Sequence, residues 1–193
     1  MLRGIYDWTM RTAASERAPQ ALAAVSFAES SFFPIPPDIM LIPMVLSQPR
    51  KAWWYATIAT ISSVVGGLLG YAIGYYLYDA VGAPILKFYG REHALDAFTA
   101  FVQQYGVAAV IIKGMTPIPY KVVTIAAGVG KMDILSFIGA SIVARAMRFY
   151  LVAGLLYFFG EPIRSFIEGR LAFVTTAFVV LLVGGFVAVR YIF

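Results

Sequence analysis

Not one cysteine occurs in the 193 residues, which excludes disulfides, thiolate catalysis and cysteine-built metal centres. A single histidine, His93, is too few for a histidine metal site, and it sits in "KFYGREHALD" (87–96), a stretch that reads as a solvated connection. Charge is scarce too. Asp, Glu, Lys and Arg make up 13% of the chain, against roughly 25% in ordinary soluble domains. With 61% apolar residues, too little polar side chain remains to cover a water-facing surface. The formal charge of +5 comes without a long basic run, so nucleic acid is not an expected partner. It reads instead as a topology signal and an attraction to anionic lipid. No nucleophile–base pair, phosphate loop or metal-ligand spacing stands out, so no enzymatic activity, metal or cofactor is expected. The first 20 residues lack the apolar core of a signal peptide. With Ile5, Trp8 and Met10 among Arg3, Arg11 and Arg17, they suit an interfacial helix.

What the chain does have is long apolar runs. Residues 52–78 carry no charge over 27 positions, about 40 Å as a helix, enough to cross a core of roughly 30 Å with tilt. Trp53, Trp54 and Tyr55 at one end and Tyr75, Tyr76 and Tyr78 at the other suit the two interfaces. Residues 171–189 form a second span, stopped by Arg190, and 134–159 form a third that contains Arg145 and Arg148. Two further apolar stretches are broken. Residues 21–33 run into "PIPPD" before a short limb at 39–46; residues 95–112 run into "KGMTPIPYK" before 122–130. Each proline lacks an N–H and disrupts a continuing helix. Limbs this short suit re-entrant hairpins, which survive in a membrane only when packed in protein or lining a watery cavity.

The two broken stretches resemble each other. A shift of 83 residues lays "FPIPPDIMLIPMV" (33–45) over "TPIPYKVVTIAAG" (116–128), with Pro34 on Pro117, Pro36 on Pro119 and Asp38 on Lys121. Downstream, "GAPILKF" (82–88) matches "GEPIRSF" (160–166). Each copy reads as hairpin, spanning helix, then a G-x-P-I element. One crossing separates the hairpins, so the copies are inverted; kinked full crossings would make them parallel instead, and limb length favours inversion. The expected architecture is an all-α integral membrane protein of one domain: an interfacial helix at 1–20, repeats at 21–90 and 91–168, and a C-terminal span at 169–193. Pro34, Pro36, Pro37, Pro117 and Pro119 are the hairpin breakers. Gly66, Gly70 and Gly74 form a small-residue face on the first span, suited to close packing within the protomer.

Charges inside such segments cost about 3 kcal/mol each on insertion scales and normally face a cavity or a partner. Arg145 lies 11 residues into its run, roughly 16 Å deep, beyond easy snorkelling. Arg148 shares its helix face at i+3. Both arginines can fork onto phosphate, and Lys113 and Lys121 add point charges. Glu29 and Asp38 are the candidate proton- or ion-coupling residues. They can pair with the arginines, either to pin the repeats together or to neutralise them until a phosphate headgroup arrives. Helix limbs beginning after "PIPP" and "PIPY" would turn free N–H groups toward an anion. The charged groups are expected to line a polar cavity there.

At "ESSFFPIPPD" the chain resembles the DedA family of bacterial membrane proteins, whose core is also called the VTT or SNARE-associated domain. The family pattern is a glutamate, five residues to a proline, P-x-P, then an acid four residues after the first proline; Glu29, Pro34, Pro36 and Asp38 satisfy it. "TPIPYKVVTIAAGVG" resembles the branch often labelled YqaA-like, and the resemblance covers roughly residues 20–165. Many members carry two arginines three residues either side of the second proline, where this chain has Lys113 and Lys121 at four. The resemblance implies two inverted re-entrant hairpins in the bacterial cytoplasmic membrane. It also implies transbilayer movement of phospholipid or undecaprenyl phosphate, influenced by proton-motive force. A proton- or cation-coupled transporter of small solutes and a non-transporting scaffold are the rival readings, and a homo-oligomer is left open. Seven cations against four (Lys87, Arg91, Lys131, Arg190) place the N-terminus inside.

Overall fold

The computed structural model describes residues 13, 15–33, 35–78, 80, 105–115 and 120–169, the side chains of 113, 115, 164 and 166–169 excepted. Most of the N-terminal interfacial segment, Pro34, Pro117, Pro119, the 82–88 motif, His93, the 171–189 span and the Lys113 side chain lie outside the described residues. Six helices are described: α1 (Ala18–Ser31), α2 (Asp38–Ser47), α3 (Ala52–Tyr76), α4 (Val107–Met115), α5 (Tyr120–Val129) and α6 (Ile134–Gly169). Among the described residues there is no strand. A 3₁₀ turn, Pro49–Lys51, leads into α3.

Prolines set the ends of the first two helices. Pro19 falls in the opening turn of α1, where a missing N–H costs nothing. The helix closes with the N–H groups of Phe32 and Phe33 both on the Ala28 carbonyl, at 2.9 and 2.8 Å, and the prolines that follow give it no donors to continue. The chain re-enters helix at Asp38, directly after Pro37, and the carboxylate in that first turn complements the positive end of the dipole. α6 is capped by Asp133, whose Oδ2 accepts the Ser136 N–H at 2.8 Å. That bond holds the Asp133 carboxyl below its ordinary value.

Among the described residues two helices have the length and composition to cross a bilayer: the segment Pro49–Tyr76 and the stretch Ile134–Ile163 of α6. α6 runs further than the sequence suggests. The G-x-P-I motif at 160–163 does not follow the helix but lies inside it, and Pro162 is an internal residue. Proline removes one backbone bond, and the helix continues past it. Ala153 and Leu156 belong to the main apolar cluster, and Ile163, beyond the proline, still packs on it.

The glycine face of α3 brings backbones together within the protomer, as expected. A Cβ at Gly66 would overlap the Phe27 carbonyl on α1, and one at Gly74 would overlap the Ile125 carbonyl on α5. Small residues permit this approach, and close packing takes over where lipid supplies no hydrophobic drive between helices.

Apolar packing forms two clusters. One gathers Leu22, Leu41, Met44, Tyr55, Ala59, Phe149 and Ala153; the other gathers Tyr71, Val110, Tyr120, Val123, Phe137 and Ala140. Along α3 the residues between the two clusters include buried Thr60 and Ser63, and along α6 they include buried Ser141 and Arg145. A polar layer thus interrupts the core.

Candidate functional site

The layer collects charges from both halves of the chain. Glu29 sits two residues before the end of α1 and Asp38 is the first residue of α2, so the two carboxylates flank the proline break. Each meets one arginine of α6. Arg145 Nη2 donates to Glu29 Oε2 at 2.9 Å, and Arg148 Nη2 donates to Asp38 Oδ2 at 2.6 Å. The i, i+3 spacing on α6 places both guanidinium groups against one broken segment.

The two pairs differ in depth. The Arg145 side chain is 0% exposed and that of Glu29 10%, whereas Arg148 and Asp38 are 29% and 19% exposed. Around Arg145 the guanidinium carbon lies 4.6 Å from the ring centroids of both Tyr120 and Phe149, a cation–π setting strengthened by desolvation. Nε and Nη1 of Arg145 are buried and have no hydrogen-bond partner among the described residues, and the same holds for Asp38 Oδ1. Buried donors left unpaired cost roughly 1–3 kcal/mol each, so such atoms call for an explanation.

Hydroxyls extend the layer. Ser30 Oγ donates to Glu29 Oε2 at 3.3 Å and lies 2.6 Å from Ser63 Oγ on α3. Ser31 Oγ donates to the Gly66 carbonyl at 2.8 Å, and Tyr120 Oη donates to Ser141 Oγ at 2.7 Å. The start of α5 holds the end of α1: Lys121 Nζ donates to the Phe33 carbonyl at 2.7 Å and Thr124 Oγ1 to the Ser30 carbonyl at 3.1 Å. Lys121 is 1% exposed, and Glu29 acts on it electrostatically.

Of the residues singled out from sequence, Glu29, Asp38, Lys121, Arg145 and Arg148 therefore share one region. Pro36 and Pro37 lie between the two carboxylates in sequence. Tyr120, Phe149, Ser30, Ser63 and Thr124 are additions. The serines had a signal, being polar residues inside otherwise apolar runs; the two rings had none, since aromatics are common throughout the chain. Among the described residues the charges meet directly in ion pairs. A cavity of about 410 Å³ lies between α3 and α6, lined by Thr57, Thr60, Ile61, Ile142, Ala146, Met147 and Tyr150, with no charged residue in its wall.

Bilayer-length apolar helices around buried ion pairs define a helical membrane protein. The VTT domain family matches residues 35–158, and the chain belongs to that family. A protein of Haemophilus influenzae described only as uncharacterized is 41% identical over 179 residues, 93% of each chain. Another uncharacterized protein, from Histophilus somni, is 35% identical over 177 residues, 92% of each chain. Undecaprenyl phosphate transporter A of Bacillus subtilis is 28% identical over 91 residues, 45% of this chain and 46% of its own. No solved structure matches the chain.

Proposed function

We propose that the protein moves a lipid with a phosphate headgroup across the bacterial cytoplasmic membrane, the headgroup passing through the polar layer while the hydrocarbon stays in lipid. The observation that carries this reading is Arg145, wholly buried yet bonded, among the described residues, through one nitrogen only. A structural ion pair would satisfy more of the guanidinium's five donors. A phosphate oxygen would satisfy them, and the Bacillus relative's name supplies a precedent for a prenyl phosphate.

Charge balance narrows the headgroup. At rest the two arginines face two carboxylates, so these four charges cancel, and Lys121 adds one positive charge beside them. A phosphate monoester carries about −1.5 to −2, enough to replace both carboxylates; a phosphodiester replaces one. Glu29 and Asp38, once displaced, are neutralised by protons, since a bare carboxylate in hydrocarbon is costly. Lipid movement is thereby linked to proton uptake. The two proline-broken segments act as inverted re-entrant hairpins, with Lys121 and Lys113 contributing positive charge from the second.

Reconstitution in liposomes with labelled polyprenyl phosphate or labelled phospholipid tests the reading. Transport above protein-free vesicles is expected, greater for the monoester, and lost in Arg145→Gln. No lipid movement, together with solute-dependent pH change, points to a small-solute carrier. Unchanged transport in a less stable Arg145 variant points to a scaffold role for that residue.

A further inference from the structure

We infer that the two arginines are engaged in order, Arg148 as an outer position and Arg145 as an inner one, so that the headgroup climbs a two-rung ladder on α6. The inference rests on the phosphate reading above and adds a division of labour that the ion pairs alone do not imply.

Depth sets the order. The outer pair keeps 29% and 19% of its side-chain surface exposed, and Arg145 keeps none. An anion arriving from outside the layer therefore meets Arg148 first. Spacing sets the reach. Residues at i and i+3 rise about 4.5 Å along the helix, a span that one phosphate group can bridge while it changes partners. No intermediate position needs to be left empty.

Chemistry separates the two rungs. Asp38 holds the Arg148 nitrogen at 2.6 Å, so the outer step is an exchange of one carboxylate for a phosphate at a partly exposed site. At the inner rung Glu29 occupies Nη2 alone, and Nε and Nη1 lack partners among the described residues. A phosphate can bond there before Glu29 leaves. Tyr120 and Phe149 lie close to the guanidinium, and the N–H groups of Nε and Nη1, without partners among the described residues, suit an oxygen acceptor. Contacts at a partly exposed charge govern association, and contacts at a buried charge govern release.

Stopped-flow binding of farnesyl phosphate to the full chain in nanodiscs tests this order. Arg148→Gln is expected to slow association about tenfold and to leave dissociation within about twofold. Arg145→Gln is expected to do the reverse. Arg145→Lys keeps the charge without the fork and should also speed dissociation, which covers the case in which the glutamine variant does not fold. Asp38→Asn, which removes the competing charge from the outer rung, should speed association; an unchanged rate overturns the outer position. If both arginine variants alter the same rate constant equally, the ladder is wrong and the phosphate site stands. If neither alters binding, the phosphate reading falls as well. Inorganic phosphate is the parallel probe: binding as tight as farnesyl phosphate overturns the lipid source and leaves the order intact.

Discussion

Arg145 is a charged residue buried completely, and its burial carries an energetic cost. A charge removed from water needs its partner more than a surface charge does, and taking that partner away typically costs about 3–5 kcal/mol. Glu29→Ala should therefore destabilise the protein by about that amount, because it leaves Arg145 buried and alone. Asp38→Ala, at a partly exposed pair, should cost about 1 kcal/mol or less. The double variant Glu29→Ala/Arg145→Met should recover most of the single loss, since a buried pair is often worth little more than apolar side chains of similar volume. Unfolding in detergent measures all three. A Glu29→Ala loss no larger than that of Asp38→Ala would show that the inner pair is hydrated. Lys121 makes a different kind of bond. Its ammonium holds the Phe33 carbonyl, next to the proline break, so it fixes the end of the helix that carries Glu29.

At the scale of helices, the first span owes its place to glycine. Backbone atoms of α1 and α5 occupy the space that side chains at Gly66 and Gly74 would need, and backbone cannot step aside as a flexible side chain can. Gly66→Ala should thus destabilise by roughly 1–3 kcal/mol, the usual cost of overpacking. Gly139, on α6, faces open space. Gly139→Ala should be neutral or stabilising by up to about 1 kcal/mol, the helix-propensity gain. The pair of measurements separates packing from propensity; equal effects would mean that α3 does not approach its neighbours this closely. Proline acts on the same scale with two outcomes. Between α1 and α2 a run of prolines ends the helix, while in α6 a single Pro162 is carried through. Several missing donors stop a helix; a single one, at Pro43 of α2 or Pro162 of α6, does not.

For the molecule as a whole, the polar layer is the organising feature. Two apolar clusters hold the helices together, and the ion pairs between them join the first broken segment to α6. If the broken segments are re-entrant and inverted, single cysteines introduced at Phe33 and Thr116 react with impermeant reagents from opposite faces of the membrane. Labelling of both from one face would make the segments parallel or fully crossing. The match to the VTT domain spans residues 35–158. It includes Asp38, Lys121 and both arginines; Glu29 lies just ahead of it.

Much of this was legible in the residue order. Membrane residence follows from composition, because apolar content and scarce charge leave no way to build a water-facing surface. The break at "PIPP" follows from backbone donors that proline lacks, and the glycine face from spacing alone. The significance of Glu29, Asp38, Arg145 and Arg148 was also visible, since ions within apolar runs require partners. Pairing was not. Glu29 and Arg145 stand 116 residues apart, and either carboxylate could have met either arginine until the helices were placed side by side. Depth and the two aromatic rings on Arg145 likewise arise from packing across helices, which no local pattern encodes.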